Sequence, residues 1–591
     1  MCGIFAIINN SLHNVSSKQL QEAINIGRAR GPENTNSIAL QDVEFHFHRL
    51  AINGLDDGSM QPITIGNVTL ICNGEIYNYT KLYQMHPDVK PQTHSDCEII
   101  IHMYKKYGMT RTLQMLDGVF AFVLHEYNYK EASEPDKLYI ARDPFGVRPL
   151  YIYHNLTSEG EAIAVASEVK VLSKLLGKNA NNNIYPVTPG SFSRFDKPFI
   201  VRHPWKLVEK ETKYFTFNCH PDVMLTDFHN DIGIVKACKT IYTNLINAVK
   251  KRVVGTTDRP VACLLSGGLD SSLIAAIVRM FVPELHTFSI GMPGSKDLEY
   301  ARIVSKHIDS IHHEVMVSKD TFFEAIPTVI NAIESYDTTT VRASVGNYLI
   351  GKHIADNFDH KVIFNGDGSD ELTGGYIYML YAPNNIEFDA ECKRLLENIH
   401  TFDVLRSDRS ISSNGLEPRT PFLDKTFVSE YLNIPACIRN PRSSYNTHCK
   451  AWDHHAEQYD AKGLHKIASI IRSRPEKLLL RYAIDQLNPM LLPSEVLWRS
   501  KEAFSDGVSG KDESWFEVIA NKLRHMQYNV DLGGSPLAYH MVPTTSEQAY
   551  YRSLYCQFFP NTDSTIPYFW MPKYVDATDS SARTLAHYNS N

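Results

Sequence analysis

The segment Val261–Phe281 reads VACLLSGGLDSSLIAAIVRMF. A short apolar run, a Ser-Gly-Gly turn and an apolar helical stretch follow one another without a gap. That order is a strand feeding a helix through a loop fit to hold phosphate. Two glycines let the backbone approach anionic oxygens, while the Ser hydroxyls and the helix N-terminus add donors. No Lys follows and the G-x-x-x-x-G-K-[ST] spacing is absent, so the loop is not a Walker P-loop. Asp270 adds a carboxylate where a phosphate-bound Mg²⁺ would take one. Read alone, Ser-Gly-Gly is also an ordinary tight turn.

Downstream, strands are expected at HTFSIGM (286–292), HHEVMVS (312–318) and KVIFNG (361–366), with helical stretches between them. Strands alternating with helices predict an α/β domain with a parallel sheet covered on both faces. A second loop, Asn365-Gly366-Asp367-Gly368-Ser369-Asp370-Glu371, follows the KVIF strand. Both loops then lie at strand C-termini, the ligand edge of such a sheet. DGSDE has the wrong spacing for a calcium loop.

Upstream, residues 1–205 read differently. Apolar runs at Val68–Cys72, Val119–Leu124, Leu138–Ala141 and Ala162–Ala166 are bounded by Gly, Pro, Asn and Asp, and a helix is expected over Ser95–Tyr107. This predicts an α+β sandwich. Residues 206–232 are the expected linker, and a helix is expected from Gly233 to Val253 within a second domain, 233–545. Residues 546–591 turn aromatic and then polar, and a loosely ordered tail is expected there.

Composition narrows the function classes. The chain has 591 residues, and its net charge of −7 is spread along the sequence without a basic stripe, which argues against nucleic acid as a partner. The ten cysteines include no C-x-x-C pair, so a reducing, cytoplasmic compartment is expected. No run approaches the ~20 apolar residues of a membrane helix.

Cys2 follows the initiator Met. Alone it reads as a small apolar residue opening a strand. If Met1 is removed, its free amine can act as base beside its own thiol. The surrounding motifs favour that second reading. Arg49 offers a guanidinium for a carboxylate, Asn73 and Gly74 offer N–H donors for an oxyanion, and Glu75 and Asp96 offer acids for an ammonium group.

MCGIFAI (1–7), RGPE (30–33), HRLAI (48–52), NGEIYN (73–78), SDCE (95–98), DGVFAF (117–122) and ARDPFGVRPLY (141–151) resemble the class II, N-terminal-nucleophile glutamine amidotransferases over about the first 190 residues. The resemblance implies an αββα Ntn-type glutaminase sandwich. It implies Cys2 as nucleophile, Asn73 and Gly74 as oxyanion hole, and Arg49, Leu50, Ala51, Ile52, Asn53, Asn73, Gly74, Glu75 and Asp96 as glutamine contacts. The His usual before Arg-Gly-Pro is Ala29 here.

SGGLDSS (266–272) resembles the pyrophosphate loop of ATP pyrophosphatases, an adenine nucleotide alpha-hydrolase-like fold. With TTVRAS (339–344), GLEPRTPFLDKTF (415–427), EKLLLR (476–481) and RSKEAFSDGV (499–508), the whole is similar to the glutamine-hydrolysing asparagine synthetases. That family implies ATP and Mg²⁺, the substrates L-glutamine and L-aspartate, and a β-aspartyl-AMP intermediate; a homodimer is among the assemblies it allows. It implies an ATP pocket of Leu265, Ser266, Gly267, Gly268, Asp270, Ser271, Ile290, Asn365, Gly366 and Lys501. It further implies Mg²⁺ at Asp270 and Asp370, and substrate or phosphate contacts from Arg342 and Arg419.

Two departures stand out. The family loop Ser-Gly-Glu-Gly-Ser-Asp-Glu has Asn365 for Ser and Asp367 for the Glu linked to intermediate formation. A shorter acid at a reacting centre costs rate unless the loop shifts. Residues 440–474 carry extra, His-rich sequence, with His448, His454, His455 and His465, expected to be a solvated insertion. Two other readings stay open: a β-lactam-synthetase-like enzyme, which Cys2 disfavours, and a glutamine-binding relative whose synthetase half has decayed.

Overall fold

A computed structural model of the chain describes residues 1–580 except 14, 41, 129–133, 178–182, 199–202, 218–230, 502–506, 511–512, 527–539 and 578. The first domain holds two antiparallel sheets. One runs Ile184–Pro186 (β10), Tyr151–Thr157 (β8), Gly160–Ala166 (β9), Gly3–Ile8 (β1), Val43–Arg49 (β3), Asn34–Leu40 (β2). The other runs Lys206–Lys213 (β12), Ser191–Lys197 (β11), Asp136–Arg142 (β7), Gly118–Glu126 (β6), Val68–Ile76 (β5), Ile63–Ile65 (β4).

Strand alternation builds the layers. On β1, Ile4, Ala6 and Ile8 point inward and meet Ile71, Ala121 and Val123 of the second sheet. Phe5 and Ile7 point outward onto helical residues such as Ala23 and Leu172. Phe120 and Phe122 do the same on the other side, against Ile100 and Met103. The result is the αββα sandwich.

The second domain carries one parallel sheet in the order Ile311–Met316 (β15), His286–Gly291 (β14), Val261–Leu264 (β13), Val362–Phe364 (β16), Glu417–Arg419 (β17). From β13 the chain steps to β14 and β15 on one side, then crosses back to β16 and β17 on the other. The crevice between the ends of β13 and β16 is therefore the switch point at which such sheets take ligands.

Three expectations require correction. Residues 206–213 are not linker but β12, which pairs with β11 and extends the sandwich. The linker comes later, and 218–230 lie outside the described residues. The C-terminal segment is not loose: helix Ser546–Phe558 packs Tyr551 and Tyr555 into the core with Ile330 and Trp515, because its aromatics need a dry face; residues 581–591 lie outside the described residues. Nor is 440–474 a solvated insertion. Helix Lys450–Ala461 buries Trp452 (0% exposed) and Tyr459 in the same core as Leu479 and Ile484.

Candidate active sites

The first site forms where β1 begins and where β3 and β5 end. Cys2 is half-buried. Its carbonyl accepts from Arg30 Nε at 3.1 Å, and its Sγ donates to the Leu50 carbonyl at 3.5 Å. Burial pushes the thiol up, so a base is needed to ionise it. Met1 is buried, with its amine donating to the Leu416 carbonyl at 3.2 Å; burial lowers that amine to about 6.

Asn73 is fully buried on β5, and neither its side-chain oxygen nor its nitrogen has a hydrogen-bond partner. An unpaired buried amide is costly unless a ligand completes it. At Gly74 any Cβ would lie 2.3 Å from the Val119 carbonyl, so only glycine fits there. Asn53 Nδ2 donates to Glu75 at 2.6 Å, and Ile76 N–H donates to Asp96 at 2.5 Å. Burial first, and then Asp96, drive the Glu75 carboxyl well above its ordinary range; burial lifts Asp96 to about 6. Two desolvated acids side by side suit a cationic ligand. Arg49 is fixed by the Asp56 carbonyl at 2.9 Å and by Gly54. The segment Leu50–Asn53 is tied down by Ala51 N–H to Glu33 at 2.8 Å and by the Ile52 carbonyl to Asp258 N–H at 2.8 Å. These bonds link Cys2 to Leu50, Asn53 to Glu75, and Asp96 to the end of β5.

The second site is a cavity of about 220 Å³ at the β13/β16 crevice. Leu265, Ser266, Gly268, Asp270, Ser271, Ile290, Asn365, Gly366, Asp367, Asp370 and Lys501 all line it. Gly267 does not, but its φ of 71° and a Cβ position 2.5 Å from Ala301 N explain why the loop needs glycine there. Ser369 Oγ donates to Asp270 at 2.8 Å and joins the two loops.

Lys477, in EKLLLR, was not singled out from the sequence. It reaches Asp270 and Asp370 at 2.6 Å each, and Lys501 reaches Asp370 at 2.6 Å. Burial alone would raise the Asp370 carboxyl, but Lys477 and Lys501 outweigh it and hold Asp370 well below the usual carboxylate range, keeping it charged. The signal for Lys477 was its charge inside an apolar helix start. Asp367 accepts from Arg406 at 3.0 Å, and burial pushes its carboxyl up. Asn365 donates to Ser407 at 2.6 Å.

Arg342 and Arg419 do not line this cavity. Arg342 is held by Glu547 at 2.6 Å and Asp579 at 2.7 Å. Arg419 pairs with Glu417 at 2.8 Å and lies 3.8 Å from Glu75, next to the first site. The 440–474 histidines do not converge: His455 pairs with Asp485, His465 with Asp460 and His454 with Glu457. The side chain of His448 and residues 502–506 lie outside the described residues. Among the described residues no group of three or more His, Cys, Asp or Glu is arranged for a metal, and no helix is long and apolar enough to cross a membrane.

The two sites differ in chemistry and share an interface, which makes sense if one supplies what the other consumes. The class they define is the glutamine-dependent amidotransferases with an attached synthetase. Residues 1–189 match the glutamine amidotransferase domain family, and 240–393 with 382–531 match the asparagine synthase family. Glutamine-hydrolysing asparagine synthetases from Homo sapiens and Bos taurus are each 39% identical over 100% of this chain and 99% of their own. That from Gallus gallus is 38% identical over the same shares. The chain belongs to the glutamine-hydrolysing asparagine synthetase family.

Proposed function

We propose that the chain makes L-asparagine from L-aspartate, ATP and L-glutamine through the residues described above. The observation that carries the first half is the buried, unpartnered Asn73 amide. With Met1 removed, the Cys2 amine takes the thiol proton and Sγ attacks the glutamine amide. Asn73 and the Gly74 N–H hold the oxyanion. Arg49 takes the substrate carboxylate, Glu75 and Asp96 its ammonium, and Leu50–Asn53 its backbone edge. Ammonia leaves, and water releases glutamate.

In the second half, Leu265 and Ile290 offer an apolar seat for adenine. Ser266, Gly268 and Ser271 face the phosphates, with Lys477 and Lys501 as countercharges. The aspartate β-carboxylate attacks the α-phosphorus and pyrophosphate departs. Ammonia then attacks the β-aspartyl-AMP carbonyl and displaces AMP, giving asparagine. Asp270 and Asp370 are an all-oxygen pair suited to Mg²⁺, which takes one or two carboxylates and completes its shell with phosphates. Bound there, Mg²⁺ would neutralise charge on the departing pyrophosphate. Asp367, aimed by Arg406, is the acid beside the reacting carboxylate.

The acceptor's place follows by elimination within the cavity. The lysines and glycine loops mark the phosphate end. Thr339, Tyr376, Asp403 and Arg406 form the remaining polar wall, and the Thr339 hydroxyl is buried without a partner. Asp403 and Arg406 match the opposite charges of an amino acid. A cytoplasmic enzyme, acting as a homodimer, is the corresponding setting.

The test is synthesis driven by glutamine or by ammonium, with ATP, Mg²⁺ and aspartate. Cys2→Ala should lose only the glutamine-driven reaction, and AMP and pyrophosphate should form with ammonium. Loss of the ammonium reaction in a folded Cys2→Ala would overturn the division of labour.

A further inference from the structure

The C-terminal segment returns across the synthetase domain and meets the wall of its cavity. Trp570 N–H donates to Asp337 Oδ1 at 2.8 Å. The other oxygen of that carboxylate caps helix Thr338–Asn357, accepting from Thr340 N–H at 2.9 Å and its hydroxyl at 2.8 Å. One carboxylate therefore ties the segment to the first turn of the helix that carries Thr339. The Trp570 ring also lies 5.3 Å from that of Tyr376, which lines the cavity.

A second tie lies one turn further along. Arg342 is 4% exposed, and a guanidinium that deep requires partners. Its Nε and Nη2 donate to Glu547 at 2.8 and 2.6 Å, and its Nη1 and Nη2 donate to Asp579 at 2.7 and 2.9 Å. Both carboxylates belong to the C-terminal segment. Two bidentate pairs fix the rotation of the helix as well as its position. Thr339 and Ala343, on the same helix, face the cavity.

We propose that residues Glu547–Asp579 form a strap that sets the acceptor subsite, with Trp570 and Asp579 as positioning residues for aspartate. This rests on the reading that aspartate binds at the Thr339–Tyr376 wall. The strap's ties run to the helix that carries Thr339 and to the Tyr376 ring, so its effect belongs to one substrate out of three.

The experiment measures ammonium-driven synthesis and glutamine hydrolysis in the full-length enzyme. Asp579→Asn should raise the KM for aspartate about three- to tenfold, with the KM for ATP and glutamine hydrolysis unchanged. Asp579→Glu should recover most of the loss. Trp570→Leu, which removes the ring beside Tyr376, should show a loss of the same kind. Thr339→Val tests the subsite independently and should also raise the aspartate KM. If Thr339→Val shifts that KM and Asp579→Asn does not, the strap is overturned. If Asp579→Asn lowers all three activities together, the contact is only structural and the proposal fails. If neither variant shifts the aspartate KM, the subsite reading fails and takes the strap with it.

Discussion

Glu75 and Asp96 show how burial sets a working range for single residues. Asp96 is lifted to about 6, so in the empty site it takes up a proton as the pH falls through that value. A neutral carboxyl cannot receive an ammonium group. kcat/KM for glutamine should therefore fall on the acid side near pH 6. Bound substrate holds Asp96 ionised, so kcat should lack this limb, whereas a limb from the Cys2 amine would appear in both. Asp96→Asn should remove the limb and lower kcat/KM about 10- to 100-fold; a limb that survives belongs to another group. Stability runs the other way. A carboxyl raised above its unfolded value of 3.8 binds its proton more tightly when folded. Its contribution is present at low pH and lost as pH rises through about 6, so the empty domain gains from acidification what glutamine binding loses.

Helix Asp403–Ser412 shows the same logic in an element. Its sequence, DVLRSDRSIS, reads as a surface helix, yet every residue from Val404 onward is buried. The charges are buried because each meets a partner, Arg406 and Arg409 within the synthetase domain and Asp408 across the domain boundary. Arg406 and Ser407 hold the Asp367 loop, while Asp408 meets Arg30 at 2.7 Å and Arg148 at 3.5 Å. Arg30 in turn donates to the Cys2 carbonyl. Asp408→Asn leaves both arginines short of a buried countercharge and should cost about 3–5 kcal/mol in chemical denaturation. An unchanged midpoint would show that the helix does not bind the domains together. β12 was hidden for a related reason: LVEKETK is a polar edge strand, and only its pairing with β11 marks it as part of the sandwich.

Across the whole molecule the two domains share a core. Leu50, Ile52, Phe145 and Val147 of the sandwich belong to the same apolar cluster as Ile241, Leu265 and Leu273 of the synthetase domain. Calorimetry should accordingly give one cooperative transition, and two resolved peaks would mean that the shared cluster contributes little. The family, the parallel sheet and the two reactive loops were legible from local sequence, because strand–glycine–helix turns and an N-terminal cysteine are defined by neighbours in the chain. The roles of charged residues were not. Arg342 and Arg419 sit in motifs that suggested substrate contacts, but Arg342 is claimed by Glu547 and Asp579, 205 and 237 residues away, and Arg419 by Glu417 and Thr256, with Glu75 close by. A buried guanidinium takes whichever anion the fold brings to it. The sequence by itself determined the chemistry available at Cys2 and at the Ser-Gly-Gly loop; only the tertiary structure decided which charges face a substrate and which face each other.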